Sequence, residues 1–147
     1  MAITNSNMTA YLSELDASEE VLDRVELFLE ISGGLLPSVD FTNIFITDAL
    51  NEDGVRSFIN LWLWDSNYMV EAHNFMFAEI LDSALIGKIT RWEVESQAYI
   101  PGQETAETRM TVTWTNAHKI RGTLTGTGNN CKFLTNFIRD AIAPHHI

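Results

Sequence analysis

The chain has 147 residues, is 46% hydrophobic, carries a formal net charge of -11 and holds one cysteine. That length suits one globular core, and nine Lys and Arg are too few for a phosphate-neutralising surface or an anionic membrane, so neither nucleic acid nor membrane is expected as a partner. No apolar run approaches the roughly 20 residues a bilayer span needs, Met1 to Ala10 has no basic-then-apolar leader, and lone Cys131 makes no internal disulfide, so a reducing, cytoplasmic location is expected.

Met1 to Ala10 is polar and expected to be frayed. Asp16 is placed to cap a helix, with Glu19 closing a capping box. Val21, Leu22, Val25, Phe28, Leu29 and Ile31 then follow helical spacing, and Gly33 and Gly34 are read as its end. Phe41 to Leu50 reads as a strand, the Asn51-Glu52-Asp53-Gly54 stretch as a turn, and Val55 to Trp64 as the next strand. That second strand is apolar on both faces, with Leu61 and Leu63 on one and Trp62 and Trp64 on the other. Tyr68 to Phe75 pairs back as a third strand. Residues 76–85 fit either a short helix or a loop. Ile86 to Ile100 alternates as a long strand with one wet face, and Pro101-Gly102 breaks it.

Met110, Val112 and Trp114 alternate with Thr111, Thr113 and Thr115, and Ile120 and Leu124 alternate with Arg121, Thr123 and Thr125. This is a half-buried antiparallel pair. Keeping Thr and Arg on one face requires odd residues to pair with odd. A loop of Asn116, Ala117 and His118 does so, setting Thr113 opposite Arg121 and Trp114 opposite Ile120. Gly122 and Gly126 fall on the core face, where curvature or a close helix is expected. Asn129 or Asn130 caps a final helix whose inner stripe is Cys131, Leu134, Phe137, Ile138, Ala141 and Ile142, and Pro144 stops it. Together these predict a single α+β domain over 1–147. An N-terminal amphipathic helix precedes about six strands in one curved antiparallel sheet, and a C-terminal helix packs on that sheet.

No catalytic, metal or nucleotide signature is present, so no catalytic residue, metal ligand or cofactor is assigned. Gly126 to Asn130 lacks the third glycine of a dinucleotide loop and the Gly-Lys-Ser/Thr ending of a P-loop, and is read as a strand exit with a cap. Glu71 and His73 share a strand face and suit a base or two metal ligands, which is too few for a closed zinc site. His145 and His146 follow Pro144 and are read as a floppy tail; Cys131 is read as a small buried hydrophobe. Trp62 and Trp64 need cover from a helix, a ligand or a partner. Arg109 and Arg121 lie on the threonine face as a mildly basic partner surface.

Residues 1–87 hold fifteen Asp and Glu against Arg24 and Arg56, a charge of -13, while residues 88–147 carry +2. The acidic part is read as a solubilising face. The strand and closing amphipathic helix from Ile120 through Ile142 resemble the pleckstrin-homology superfold. The order helix, three strands, short helix, strands, helix is similar to that of small acidic secretion chaperones, which implies a homodimer binding partner peptides. Neither resemblance rests on a motif, and the chain is assigned to neither family. The expected role is a non-catalytic protein-interaction module with possible self-association. The alternative is a small-ligand binder or enzyme with a pocket between the sheet and a helix, lined by Glu71, His73, Trp62 and Trp64.

Overall fold

The computed structural model describes residues 7–37 and 43–146. Two helices come first, α1 (Met8–Glu14) and α2 (Glu19–Leu35). Seven strands follow: β1 (Asn43–Leu50), β2 (Arg56–Trp64), β3 (Tyr68–His73), β4 (Ile80–Leu85), β5 (Ile89–Gln97), β6 (Arg109–Asn116) and β7 (Arg121–Thr127). A helix α3 (Asn130–Phe137) runs on through a π-helical turn, Ile138–Ile142, into a 3-10 turn, Ala143–His145.

The α+β class holds, but the strands form two antiparallel sheets and not one. β1-β2-β3-β4 make a four-stranded meander and β5-β6-β7 a three-stranded one. The extra strand is β4, where residues 76–85 were read as helix or loop. Asn74 adopts a left-handed backbone with φ 51, and Phe77 and Ala78 hydrogen-bond back to its carbonyl. This reverses the chain, so Ile80 to Leu85 pairs with Tyr68 to His73 over its whole length. Gly87, at φ 61, then turns the chain out of the first sheet. No ladder joins β1 to β7; the side chain of Asp48 bridges them instead, accepting from the Thr127 N–H.

Several local expectations shift. Residues 1–6 and the strand start at Phe41 lie outside the described residues, while Met8 to Ala10 form the first turn of α1 rather than fraying. The cap of α2 is Ser18, whose hydroxyl accepts from Val21 N–H at 3.4 Å; Asp16, at φ 54, makes the turn between the helices. Gly33 and Gly34 are helical, with nothing within 4 Å of where a Cβ would stand, and α2 continues to Leu35. His146 is docked rather than floppy: it bridges to Ile89, and its ring sits edge-on to Trp92 at 6.4 Å. The helix expected between the third and fourth strands in the secretion-chaperone order is absent among the described residues.

The hairpin keeps its parity but not its register. Thr115 faces Arg121, Thr113 faces Thr123 and Trp114 faces Gly122, two residues on from the expected pairing. Asn116 is the cause. Its Oδ1 accepts from the N–H groups of His118 and Ile120, and Lys119 takes φ 65, so the loop runs through Ile120. Met110, Val112, Trp114 and Leu124 are buried as expected, but Ile120, expected on the same face, lies in the loop and is 41% exposed.

The core is a continuous cluster. Leu61 to Trp64 are four consecutive buried residues, so both faces of β2 are covered there. On the tryptophan face, Phe137 of α3 meets Trp64 edge-on at 4.7 Å and Phe45 at 6.3 Å. Gly126 lets α3 start close to β7: a Cβ there would stand 3.0 Å from the Asn130 carbonyl oxygen.

Beneath these rings lies a buried polar network. Asp48 Oδ2 is 2.8 Å from Arg56 Nε and accepts from the Thr127 hydroxyl at 2.5 Å; Asp48 Oδ1 accepts from the Asn130 amide at 2.9 Å. Asn130 also donates to Ile46 O, and its Oδ1 accepts from the Tyr11 hydroxyl at 2.9 Å. Burial pushes the Tyr11 phenol far above its ordinary range, so it stays a donor. Asn129 sits at the N-cap position of α3 without capping it; its amide donates to Glu14 O and its oxygen accepts from Arg56. α1, β1, β2, β7 and α3 are thereby tied through side chains.

Candidate functional site

Trp62 and Trp114 come from different sheets and line one cavity of about 260 Å³. Met69, Glu71, Asp82, Ser83, Ile120 and Arg121 complete its wall. Strand pleat explains the arrangement. Trp62 lies directly opposite Glu71 across the β2–β3 pair, and Glu71 lies opposite Asp82 across β3–β4, so all three project from one face. Trp114 reaches the cavity from the core face of β6, lying over Gly122; a Cβ there would be 2.6 Å from the indole. The glycine makes room for the ring.

Both indoles are nearly enclosed, Trp62 at 3% exposure and Trp114 at 2%. Among the described residues neither ring N–H has an acceptor. The Trp114 nitrogen lies against Gly122, where an added Cβ would stand 2.6 Å from it. The cavity carries charge of both signs, from Glu71 and Asp82 and from Arg121. Partial burial raises the Glu71 carboxyl above the ordinary carboxylate range; His73 opposes this and Asp82 adds to it.

His73 stands beside the cavity. Its Nε2 is 2.5 Å from Asp82 Oδ2 and 3.4 Å from Glu71 Oε1. The ligand atoms of Glu71, His73 and Asp82 all lie within 4.8 Å of one another. Glu71 and His73 share this strand face as expected, and β4 adds a third donor, Asp82, opposite Glu71.

Of the residues singled out from sequence, Trp62, Glu71 and Arg121 meet at the cavity and His73 touches two of its carboxylates. Trp64 does not join them. Its indole N–H also lacks an acceptor among the described residues, and the ring is packed edge-on against Phe137 of α3, so a helix covers it. Arg109 is at the far end of β6, opposite Thr127, donating to Gln97 at 3.3 Å. The pocket therefore lies between two sheets rather than between a sheet and a helix. Trp114 was read only as core; the glycine two residues beyond the hairpin loop was the available signal for its packing.

Two other features carry less chemistry. A groove of about 510 Å³ at the opposite end includes Arg56, whose N–H groups are directed inward at Leu15 O, Thr127 O and Asn129 Oδ1. Cys131 is buried, and burial with nearby Asp48 pushes its thiol up to about 12, which removes the thiolate a nucleophile needs. Among the described residues no helix is long and apolar enough to cross a membrane.

The chain matches no protein-family model, and neither a curated protein nor a solved structure matches it.

Proposed function

We infer that the chain is a small-ligand-binding module whose site is the cavity between the sheets. One observation carries this reading: Trp62 and Trp114, from different sheets, wall one space together with Glu71, Asp82 and Arg121. Ligand pockets typically measure about 300–1,000 Å³, and this one is about 260 Å³, so the ligand is small. Two indoles and Met69 suit a flat apolar body; Arg121 suits acceptor oxygens on its rim. No group in the wall is assigned to catalysis. Buried, lone Cys131 supports a reducing, cytoplasmic setting for the module.

Saturation-transfer NMR with small aromatic carboxylates and amides tests the reading. Hits are expected to quench tryptophan fluorescence and to be lost in Ile120→Trp, which adds bulk at a half-open wall position. A panel that leaves the wild-type chain untouched, or hits indifferent to Ile120→Trp, would refute it.

A second reading, the protein-interaction module, is favoured by a separate observation. Phe77 is 84% exposed and Ile80 58%, at the start of the outermost strand of the first sheet. Exposed apolar groups beside an open strand edge suit strand addition by a partner or a second copy. Light scattering on wild type and Phe77→Ser decides it: self-association abolished by the substitution supports it, and two equally monomeric proteins count against it.

A further inference from the structure

We propose that Glu71, His73 and Asp82 bind one divalent transition-metal ion of the zinc type, with an open coordination position toward the cavity. The sheet builds the donor set. Glu71 and His73 are two apart on β3 and share a face; Asp82 lies opposite Glu71 on β4. One imidazole nitrogen and two carboxylates form a mixed donor set that suits zinc better than magnesium or calcium, which prefer oxygen alone.

The distances are close to those a metal requires. Zinc bonds of about 2.0–2.2 Å place neighbouring tetrahedral ligands roughly 3.3–3.6 Å apart. Glu71 Oε1 and His73 Nε2 are already 3.4 Å apart. The His73–Asp82 contact, at 2.5 Å, must open by roughly 1 Å to meet that zinc spacing. Asp82 can supply the movement, because its side chain is 75% exposed whereas that of Glu71 is 18% exposed. Three protein ligands leave a fourth position for an outside group, as in open rather than structural zinc sites.

Two further observations favour an ion over a simple hydrogen-bonded trio. Glu71 and Asp82 are like charges directly opposite on adjacent strands, an arrangement that destabilises a sheet. A dication between them reverses the sign of that interaction. Independently, the same two carboxylates line the cavity walled by Trp62, Trp114 and Arg121. A bare carboxylate wall repels an oxyanion, while Arg121 calls for one. A metal at Glu71, His73 and Asp82 resolves the conflict, and the ligand class becomes a small metal-coordinating oxyanion. This last step rests on the cavity being the binding site; the metal site itself does not.

Calorimetric titration of chelator-treated full-length protein with Zn²⁺ tests the proposal, with the visible spectrum of Co²⁺ as a second readout. One ion per chain is expected. His73→Ala and Asp82→Asn should each weaken binding by more than the roughly 10–100-fold typical of losing a mere outer-shell partner. The combined His145→Ala, His146→Ala variant should bind as wild type does, since those rings belong to the C-terminal tail. Asp82→Asn carries the test if His73→Ala is poorly folded. Absence of binding to wild type, equal binding to Asp82→Asn, or loss only in the tail variant would each overturn the proposal. Zinc binding without any aromatic-acid binding would sink the cavity reading alone; the reverse would sink the metal site alone.

Discussion

Arg56 reaches diagonally across the β1–β2 pair to place its Nε 2.8 Å from Asp48 Oδ2, and the Asp48 side chain is wholly enclosed. The register puts Leu50 opposite Arg56 and Phe58 opposite Asp48, so the ion pair spans one diagonal step of the sheet. Thr127 and Asn130 then complete the carboxylate's hydrogen bonds from β7 and α3.

Removing one partner strands the other. Asp48→Ala is expected to cost roughly 3–5 kcal/mol, a large share of the about 5–15 kcal/mol available to a typical domain. Adding Arg56→Leu should recover part of the loss, because the unpaired cation disappears with it. Urea unfolding of the two variants checks this. A single variant within about 0.5 kcal/mol of wild type would mean that the network is not formed in solution.

Tyr11 is the smaller test of the same network. Its hydroxyl accepts from the Ile46 N–H at 2.9 Å and donates to Asn130 at 2.9 Å. Tyr11→Phe leaves that amide unpaired and should cost about 1–3 kcal/mol. Faster hydrogen exchange at the Ile46 amide is the specific readout, and unchanged protection there would contradict the assignment.

Gly122→Ala should destabilise by about 1–3 kcal/mol through overpacking, because the added methyl would meet the Trp114 indole at 2.6 Å. Combined with Trp114→Leu, the losses should be less than additive. Strict additivity in a double-mutant cycle would show that the two residues do not touch.

Glu71 sets a pH dependence. Partial burial raises its carboxyl in the folded chain, so the folded state holds this proton to higher pH than the unfolded state does. Below the ordinary carboxylate range, about 4 to 5, the group is neutral in both states and carries no penalty. As pH rises from there through the folded value, the unfolded chain ionises first and stability falls. In metal-free buffer, Glu71→Gln should therefore melt at a higher temperature than wild type by an amount that grows from pH 4 to pH 7. A constant or negative difference would show that His73 fully compensates the charge.

The elements with long, regular patterns were legible in the sequence: the stripe of α2 from Val21, the tryptophan-bearing β2, the threonine hairpin and the inner face of α3. What escaped was set by single side chains acting on backbone. Asn116 holds the hairpin loop open and moves the register by two, and left-handed Asn74 turns residues 80–85 into a strand. The cavity followed those errors, since Asp82 sits on the strand that was not foreseen. The Asp48 network was less hidden. Asp48 stands alone in an apolar strand, and Arg56 is one of two arginines before Lys88. A lone acid in a hydrophobic strand demands a buried cation, and few were on offer.

The Asp48 network also fixes when the chain can finish folding during its synthesis. Thr127 lies 79 residues after Asp48, and Asn130 lies 119 after Tyr11. At about 5–20 residues per second, a ribosome makes those 79 residues in roughly 4–16 s. Over that interval the first four strands can pair, but the central carboxylate has only the Arg56 guanidinium and solvent, and the guanidinium only that carboxylate and the Leu15 carbonyl. The meander cannot close over them until α3 leaves the tunnel. Closure over this pair therefore waits for residue 130, and a chain stopped between residues 86 and 126 would leave Asp48 and Arg56 uncovered.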